Sequence, residues 1–140
     1  MREELQKLPA LISLAAFGNI ETGFLVSTQK ESNLPFVIKR VFWVQQVPPT
    51  FLRGQHAGYQ TEEVIICIRG SVEVHVESKA GRQTFVLNQP DVGLYIPAKC
   101  WIELTFSPDA LLLCLASTDY DEQDYISDYA TFQQLCLSTS

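Results

Sequence analysis

From Gly18 onward, short apolar runs alternate with turn residues at intervals of roughly ten, the rhythm of an all-β sandwich or barrel. The runs predict strands at Phe24–Ser27, Phe36–Val44, Val64–Ile68, Ser71–Val76, Gln83–Leu87, Gly93–Ile96, Trp101–Phe106 and Leu111–Ala116. Turn signals separate them at Gly18-Asn19, Ser32-Asn33, Pro48-Pro49, Gly70, Ala80-Gly81, Gln89-Pro90-Asp91 and Ser107-Pro108-Asp109. Along Ser71–Glu77 the alternation is clean: Val72, Val74 and Val76 share one face, while Glu73, His75 and Glu77 share the other. His75 is therefore expected in solvent. Val64–Ile68 and Leu111–Ala116 lack alternation, which suits strands covered on both faces at the centre of the core.

The period changes at the C-terminus. Tyr125, Tyr129, Phe132 and Cys136 recur at helical spacing, with Asp121, Glu122 and Asp124 where a helix dipole favours negative charge, so a helical segment is predicted over 119–137. The apolar patch within residues 1–17 is expected to be an arm or short strand packed on the domain, since acidic residues precede it and no small-residue cleavage site follows.

The 140 residues suit a single domain with one core. With 46% hydrophobic and 19% charged residues the chain is not of disordered type, and no run approaches a membrane span. Cys67, Cys100, Cys114 and Cys136 are widely spaced in apolar contexts, without a CxxC pair, and are expected as reduced core residues of a cytoplasmic protein. The net charge is −6, and no Lys or Arg follows Lys99, which argues against nucleic acid and anionic membrane as partners.

The stretch RGQHAGYQTEEVIICIRG, Arg53 to Gly70, carries the candidate chemistry. It reads as a Gly-flanked polar turn holding His56 beside Arg53 and followed by Tyr59, Glu62 and Glu63, anchored to a buried strand. A metal-binding cupin barrel would present His-x-His, a Glu four residues on, and a later His. Only His56 and Glu62 fit that outline, because Gly58 and Ile102 occupy the other positions, and two ligands cannot hold a divalent ion tightly. No metal and no other cofactor is expected. A lone imidazole titrating near neutrality can instead take a proton from carbon beside a carbonyl and return it to the next carbon, the chemistry of a keto shift. The same imidazole could merely satisfy loop backbone groups.

Four blocks in order, IKRVFWV (38–44), RGQHAGYQTEEVIICIRGSVEV (53–74), GLYIPAKCWIEL (93–104) and LASTDYDEQDYISDY (115–129), resemble the sugar 3,4-ketoisomerase family, also called WxcM-like. The resemblance implies a small cupin-type jelly-roll barrel with a short C-terminal helix, a homodimer, and a metal-free shift of the keto group of a dTDP-linked 4-keto-6-deoxyhexose from C4 to C3 in deoxysugar biosynthesis. It implies that His56 is the general base at C3, with Tyr59 as a possible relay. It further implies that Arg53 lies beside the sugar or diphosphate, that Arg40 holds the nucleotide end and that Trp101 walls the pocket. Glu63 falls in the same pocket, where the family usually has Gln. Other departures are Gly58 for the family's second histidine, Ile102 for His or Arg, and Thr22 for a frequent Arg. These departures keep a second expectation open, a non-catalytic sugar-nucleotide-binding or regulatory cupin.

Overall fold

A computed structural model describes residues 7–30 and 33–137; residues 1–6 of the expected N-terminal arm, and Ser32 of one expected turn, lie outside the described residues. The strands are β1 (Ala10–Ser13), β2 (Ala15–Asn19), β3 (Gly23–Ser27), β4 (Arg40–Gln45), β5 (Arg53–Gly58), β6 (Glu63–Arg69), β7 (Val72–Ser78), β8 (Gly81–Leu87), β9 (Val92–Ile96), β10 (Trp101–Phe106), β11 (Leu111–Ala116) and β12 (Tyr125–Ile126). They form two antiparallel five-stranded sheets, ordered β1-β9-β6-β11-β4 and β12-β5-β10-β7-β8, with β2 and β3 as a separate hairpin.

Period-two alternation sorts the side chains into layers. Between the sheets, Ile65, Cys67, Leu112 and Cys114 meet Val72, Val74, Val76, Ile102, Leu104 and Phe106. On the outer face of the first sheet, Val64, Ile66 and Leu115 are covered by Leu14, Leu34 and Phe36 from the N-terminal region. The absence of alternation in β6 and β11 thus has the expected cause, burial on both faces. On β7, His75 is exposed as expected, with its ring nitrogens 2.8 Å from Glu73 Oε1 and 3.0 Å from Thr84 Oγ1.

Three expectations need correction. The fourth strand begins at Arg40 rather than Phe36, because Phe36 and Ile38 pack onto the outer face of the first sheet instead of joining it. Arg53–Gly58 is a strand and not a turn; its left-handed residues, Gly54 (φ 84°) and Gln55 (φ 56°), form a bulge inside it. The C-terminal segment is not one helix over 119–137. It has a short 3₁₀ turn at Glu122–Asp124, then β12, and only then α1 (Tyr129–Phe132), which continues as a wider turn through Gln133–Leu137. Asp121 and Asp128 cause the breaks: each carboxylate accepts from a backbone N–H further on, Gln123 N at 3.0 Å and Thr131 N at 2.9 Å, and so starts a new element. So short a helix is not stable by itself. It is held by Phe132, fully buried with Trp101, Ala57, Ile126 and Cys136, a burial contributing about 2–3 kcal/mol.

Candidate active site

The bulge in β5 decides what faces the space between the sheets. His56 lies opposite Ile102 and Arg53 opposite Leu104, and the register slips between these pairs. Ile102 and Leu104 point into the core, so Arg53 and His56 point inward as well. In a regular strand, residues three apart would face opposite ways. The extra residue places the guanidinium and the imidazole on one side. Gly54 is obligatory at this point: a Cβ there would stand 2.7 Å from Ile102 O, at a φ that disfavours any side chain.

Tyr125 joins them through β12. Tyr125 pairs with Gly58 and Ile126 with Ala57. Because Ile126 and Ala57 are buried under α1, Tyr125 is turned to the inner face. Its ring meets the His56 ring edge-on, with centroids 5.0 Å apart. Asp124 fixes this arrangement, its Oδ1 accepting from Gln60 N at 2.7 Å and its Oδ2 from Thr61 N at 3.2 Å, while its carbonyl accepts from Tyr59 N at 2.8 Å.

The opposite wall comes from the first sheet. Ala116 pairs with Arg40 on one side and with Glu63 on the other, so Arg40, Ala116 and Glu63 form a row on one face. Arg40 Nη2 donates to the Tyr125 hydroxyl at 2.9 Å, and the guanidinium carbon lies 5.2 Å from the Phe42 ring centroid and 5.5 Å from that of Tyr120.

Together these residues enclose a cavity of about 340 Å³ whose polar lining includes Arg53, His56, Glu63, Tyr120, Glu122 and Tyr125, above an apolar floor containing Ile102, Leu104 and Leu112. The size suits a sugar ring. Two buried nitrogens, His56 Nδ1 and Arg40 Nε, have no hydrogen-bond partner among the described residues. Each such orphan costs about 1–3 kcal/mol, a cost relieved when a ligand supplies the partner. Larger hollows of about 480 and 730 Å³ lie elsewhere on the surface. In the first, Tyr129 and Arg82 are engaged by Glu77 at 2.6 and 3.5 Å, whereas the inner cavity holds the unpartnered buried nitrogen of His56 and is the better candidate.

Burial, and secondarily the charge of Arg53, lowers the pKa of His56 below its ordinary value, which keeps the imidazole neutral and open to a proton. Burial raises Glu63 to about 7 against the opposing pull of Arg40. Burial likewise raises Tyr125, opposed by its bond to Arg40, and holds the Cys114 thiol well above its usual range. Among the described residues, no group of three or more His, Cys, Asp or Glu side chains is placed to hold a metal ion.

Of the residues singled out in the sequence, His56, Arg53 and Glu63 line this cavity, and Arg40 stands behind its wall against Tyr125, Phe42 and Tyr120. Tyr59 and Trp101 do not. Just past the pairing of Gly58, the chain turns at Tyr59, whose exposed ring lies 5.3 Å from Lys99 Nζ. Trp101 faces the outside of its sheet, because Ile102 faces in and neighbours on a strand alternate. Its indole packs 5.3 Å from Tyr129 and 5.6 Å from Phe132, and donates to Glu103 at 3.1 Å. Tyr120, Glu122 and Tyr125 were missed as site residues. Their signal was the acidic-aromatic block 115–129, in which Tyr125 passes for one more apolar position of a helix.

The FdtA family, described as WxcM-like, C-terminal, matches residues 7–136. The chain belongs to this family. A relative, the TDP-4-oxo-6-deoxy-alpha-D-glucose-3,4-oxoisomerase of Aneurinibacillus thermoaerophilus, is 38% identical over 113 residues, covering 80% of this chain and 81% of the relative. A 3,4-ketoisomerase from Helicobacter canadensis superimposes with a TM-score of 0.85 at 34% identity, over 91% of this chain and 96% of that one. A mutant of QdtA from Thermoanaerobacterium thermosaccharolyticum, solved in complex with TDP-4-keto-6-deoxyglucose, gives 0.86 at 33% identity, over 93% of this chain and 94% of that one.

Proposed function

We propose that this FdtA-family chain is a sugar 3,4-ketoisomerase that moves the keto group of a TDP-linked 4-keto-6-deoxyhexose from C4 to C3. The observation that carries the reading is His56: a neutral imidazole, lined up with Arg53 by the β5 bulge, with an unpartnered buried nitrogen in a sugar-sized cavity. His56 takes the proton from C3. The C–H electron pair forms the C3=C4 bond, and the carbonyl pair moves onto O4. Return of the proton to C4, with loss of the proton on O3, leaves the carbonyl at C3. The charge developing on oxygen is met by the Tyr125 hydroxyl, which Arg40 polarises. Tyr125 stands at the cavity where Tyr59 was expected and serves as a hydrogen-bond donor, and Tyr120 with Tyr125 replaces Trp101 as aromatic wall. Arg53, exposed at the mouth and without an ion pair among the described residues, is free for the diphosphate.

The two facing sheets read as the halves of a cupin-type jelly-roll barrel forming a single domain. The hairpin β2–β3 exposes Phe17, Ile20, Phe24 and Leu25, and supports a homodimer formed through it. Four free, buried cysteines support a reducing, cytoplasmic setting.

The test is carbon NMR of TDP-4-keto-6-deoxyglucose incubated with the protein. The ketone resonance is expected to move from C4 to C3. Calorimetric binding of TDP without any such conversion would instead favour a non-catalytic binding module.

A further inference from the structure

We propose that Glu63 is a second catalytic residue of this site, carrying the proton exchanged between O4 and O3 of the sugar while His56 carries the one exchanged between C3 and C4. This assignment rests on the ketoisomerase reading: with Gly58 where the family has its second histidine, Glu63, in place of the family's usual Gln, supplies the second proton-carrying group in this chain.

The geometry is specific. Glu63 stands at the end of the Arg40–Ala116–Glu63 row, with only an alanine between cation and carboxyl. Glu63 lines the main cavity and also the narrow recess at its inner end, and His56 does the same. No described side chain or backbone group within hydrogen-bonding distance occupies its carboxyl, and Arg40 acts on it only through charge. A buried carboxyl with both oxygens open is matched to a vicinal pair of oxygens on a ligand, one accepting and one donating.

The neighbours cannot take this role. At the same depth, Gly58 and Ile102 bring no proton, burial pushes the Cys100 thiol up to about 12, and the Thr61 hydroxyl is taken by Asp124 at 2.5 Å. From β11, Cys114 is held protonated far from neutrality. From β12, the Tyr125 phenol is raised and engaged by Arg40, which comes from β4. Arg53 on β5, Tyr120 and Glu122 are exposed at the rim. Burial brings Glu63 to about 7, close to the pH at which a general acid is most effective.

The steps balance. As His56 removes the C3 proton, protonated Glu63 gives its proton to O4, so a neutral enediol forms with imidazolium and carboxylate beside it. The carboxylate then takes the O3 proton as the C3 carbonyl forms, and the imidazolium returns its proton to C4. Both groups end as they began.

The experiment compares wild-type, Glu63→Gln and Glu63→Asp protein on TDP-4-keto-6-deoxyglucose, with TDP calorimetry as the control for an intact site. Glu63→Gln should bind TDP within about threefold of wild type yet lose roughly 100-fold or more in kcat. Glu63→Asp, which keeps the carboxyl, should recover part of that loss. Wild-type kcat should fall as pH rises through about 7, where Glu63 loses its proton, and Glu63→Gln should lack that limb. The wild-type profile stands even where the glutamine variant does not fold. Unchanged kcat in Glu63→Gln, or a wild-type profile flat through that range, overturns the role of Glu63 and leaves the ketoisomerase reading standing. Absence of conversion by the wild type overturns both.

Discussion

Glu63 couples the chemistry of the site to the stability of the fold. Its carboxyl titrates near 4.5 in the unfolded chain and at about 7 in the cavity, so the folded state binds the proton more tightly. The stabilisation from this group is complete below 4.5 and is lost as pH rises through 7. A shift of this size is worth about 3 kcal/mol. Glu63→Gln, permanently neutral, should therefore resist denaturant better than wild type at pH 8 by up to about that amount, while the two should match near pH 4.5. Urea titrations at the two pH values check this, and equal midpoints at pH 8 would show that the carboxyl is not desolvated. His56 works in the opposite direction: its depressed pKa favours the folded state above its ordinary value and ceases to do so as pH falls. That two adjacent positions, 62 and 63, both carry glutamate hides which one matters. Glu62 accepts from Tyr95 and pairs with Lys7 on the outer side of β6, and only the alternation of β6 separates it from Glu63.

At the scale of the element, the strand β5 does the positioning. Its bulge turns Arg53 to the same side as His56, and the sequence Arg53-Gly54-Gln55-His56 looks like a turn because a bulge uses the same left-handed residues. Gly54→Ala is expected to cost about 1–3 kcal/mol, since its Cβ would meet Ile102 O while the backbone holds φ at 84°. The same variant should lose turnover beyond its loss of stability, as the bulge relaxes and Arg53 swings away. Thermal melts alongside kinetics at a temperature where the variant is folded separate these effects, and a variant as stable and active as wild type would mean the bulge is not needed. Other errors of sequence reading have equally local causes. Ile102 and Trp101 cannot both face the pocket on one strand, so the inward isoleucine fixes the tryptophan outside. Tyr125 shares helical spacing with Tyr129 and Phe132, but the Asp121 and Asp128 caps break the helix and free a two-residue strand to present it. The β-strands themselves were legible because one or both faces are buried, which the alternation of β7 and the unbroken apolar runs of β6 and β11 record directly.

Across the whole molecule, the described termini cover the outer faces of the sheets: the N-terminal region lies over β6, β9 and β11, and α1 over Trp101 and Ala57. The hairpin β2–β3 carries the most exposed apolar side chain among the described residues, Ile20 at 93%, beside Phe24 at 66%. Sedimentation of the wild type should show a dimer, and Phe17→Glu with Leu25→Lys should shift it towards monomer. A monomeric wild type would rule out the hairpin as an interface. The net charge of −6 makes the inward cations Arg40 and Arg53 more telling, since they stand in a chain that otherwise repels anions. The claim on which all of this rests is that His56 moves the C3 proton, and deuterium oxide tests it most directly. TDP-4-keto-6-deoxyglucose recovered from wild-type protein should carry deuterium at C3, and His56→Asn should slow that exchange by at least about 100-fold while still binding TDP. Exchange at C3 that proceeds undiminished in His56→Asn would contradict the claim.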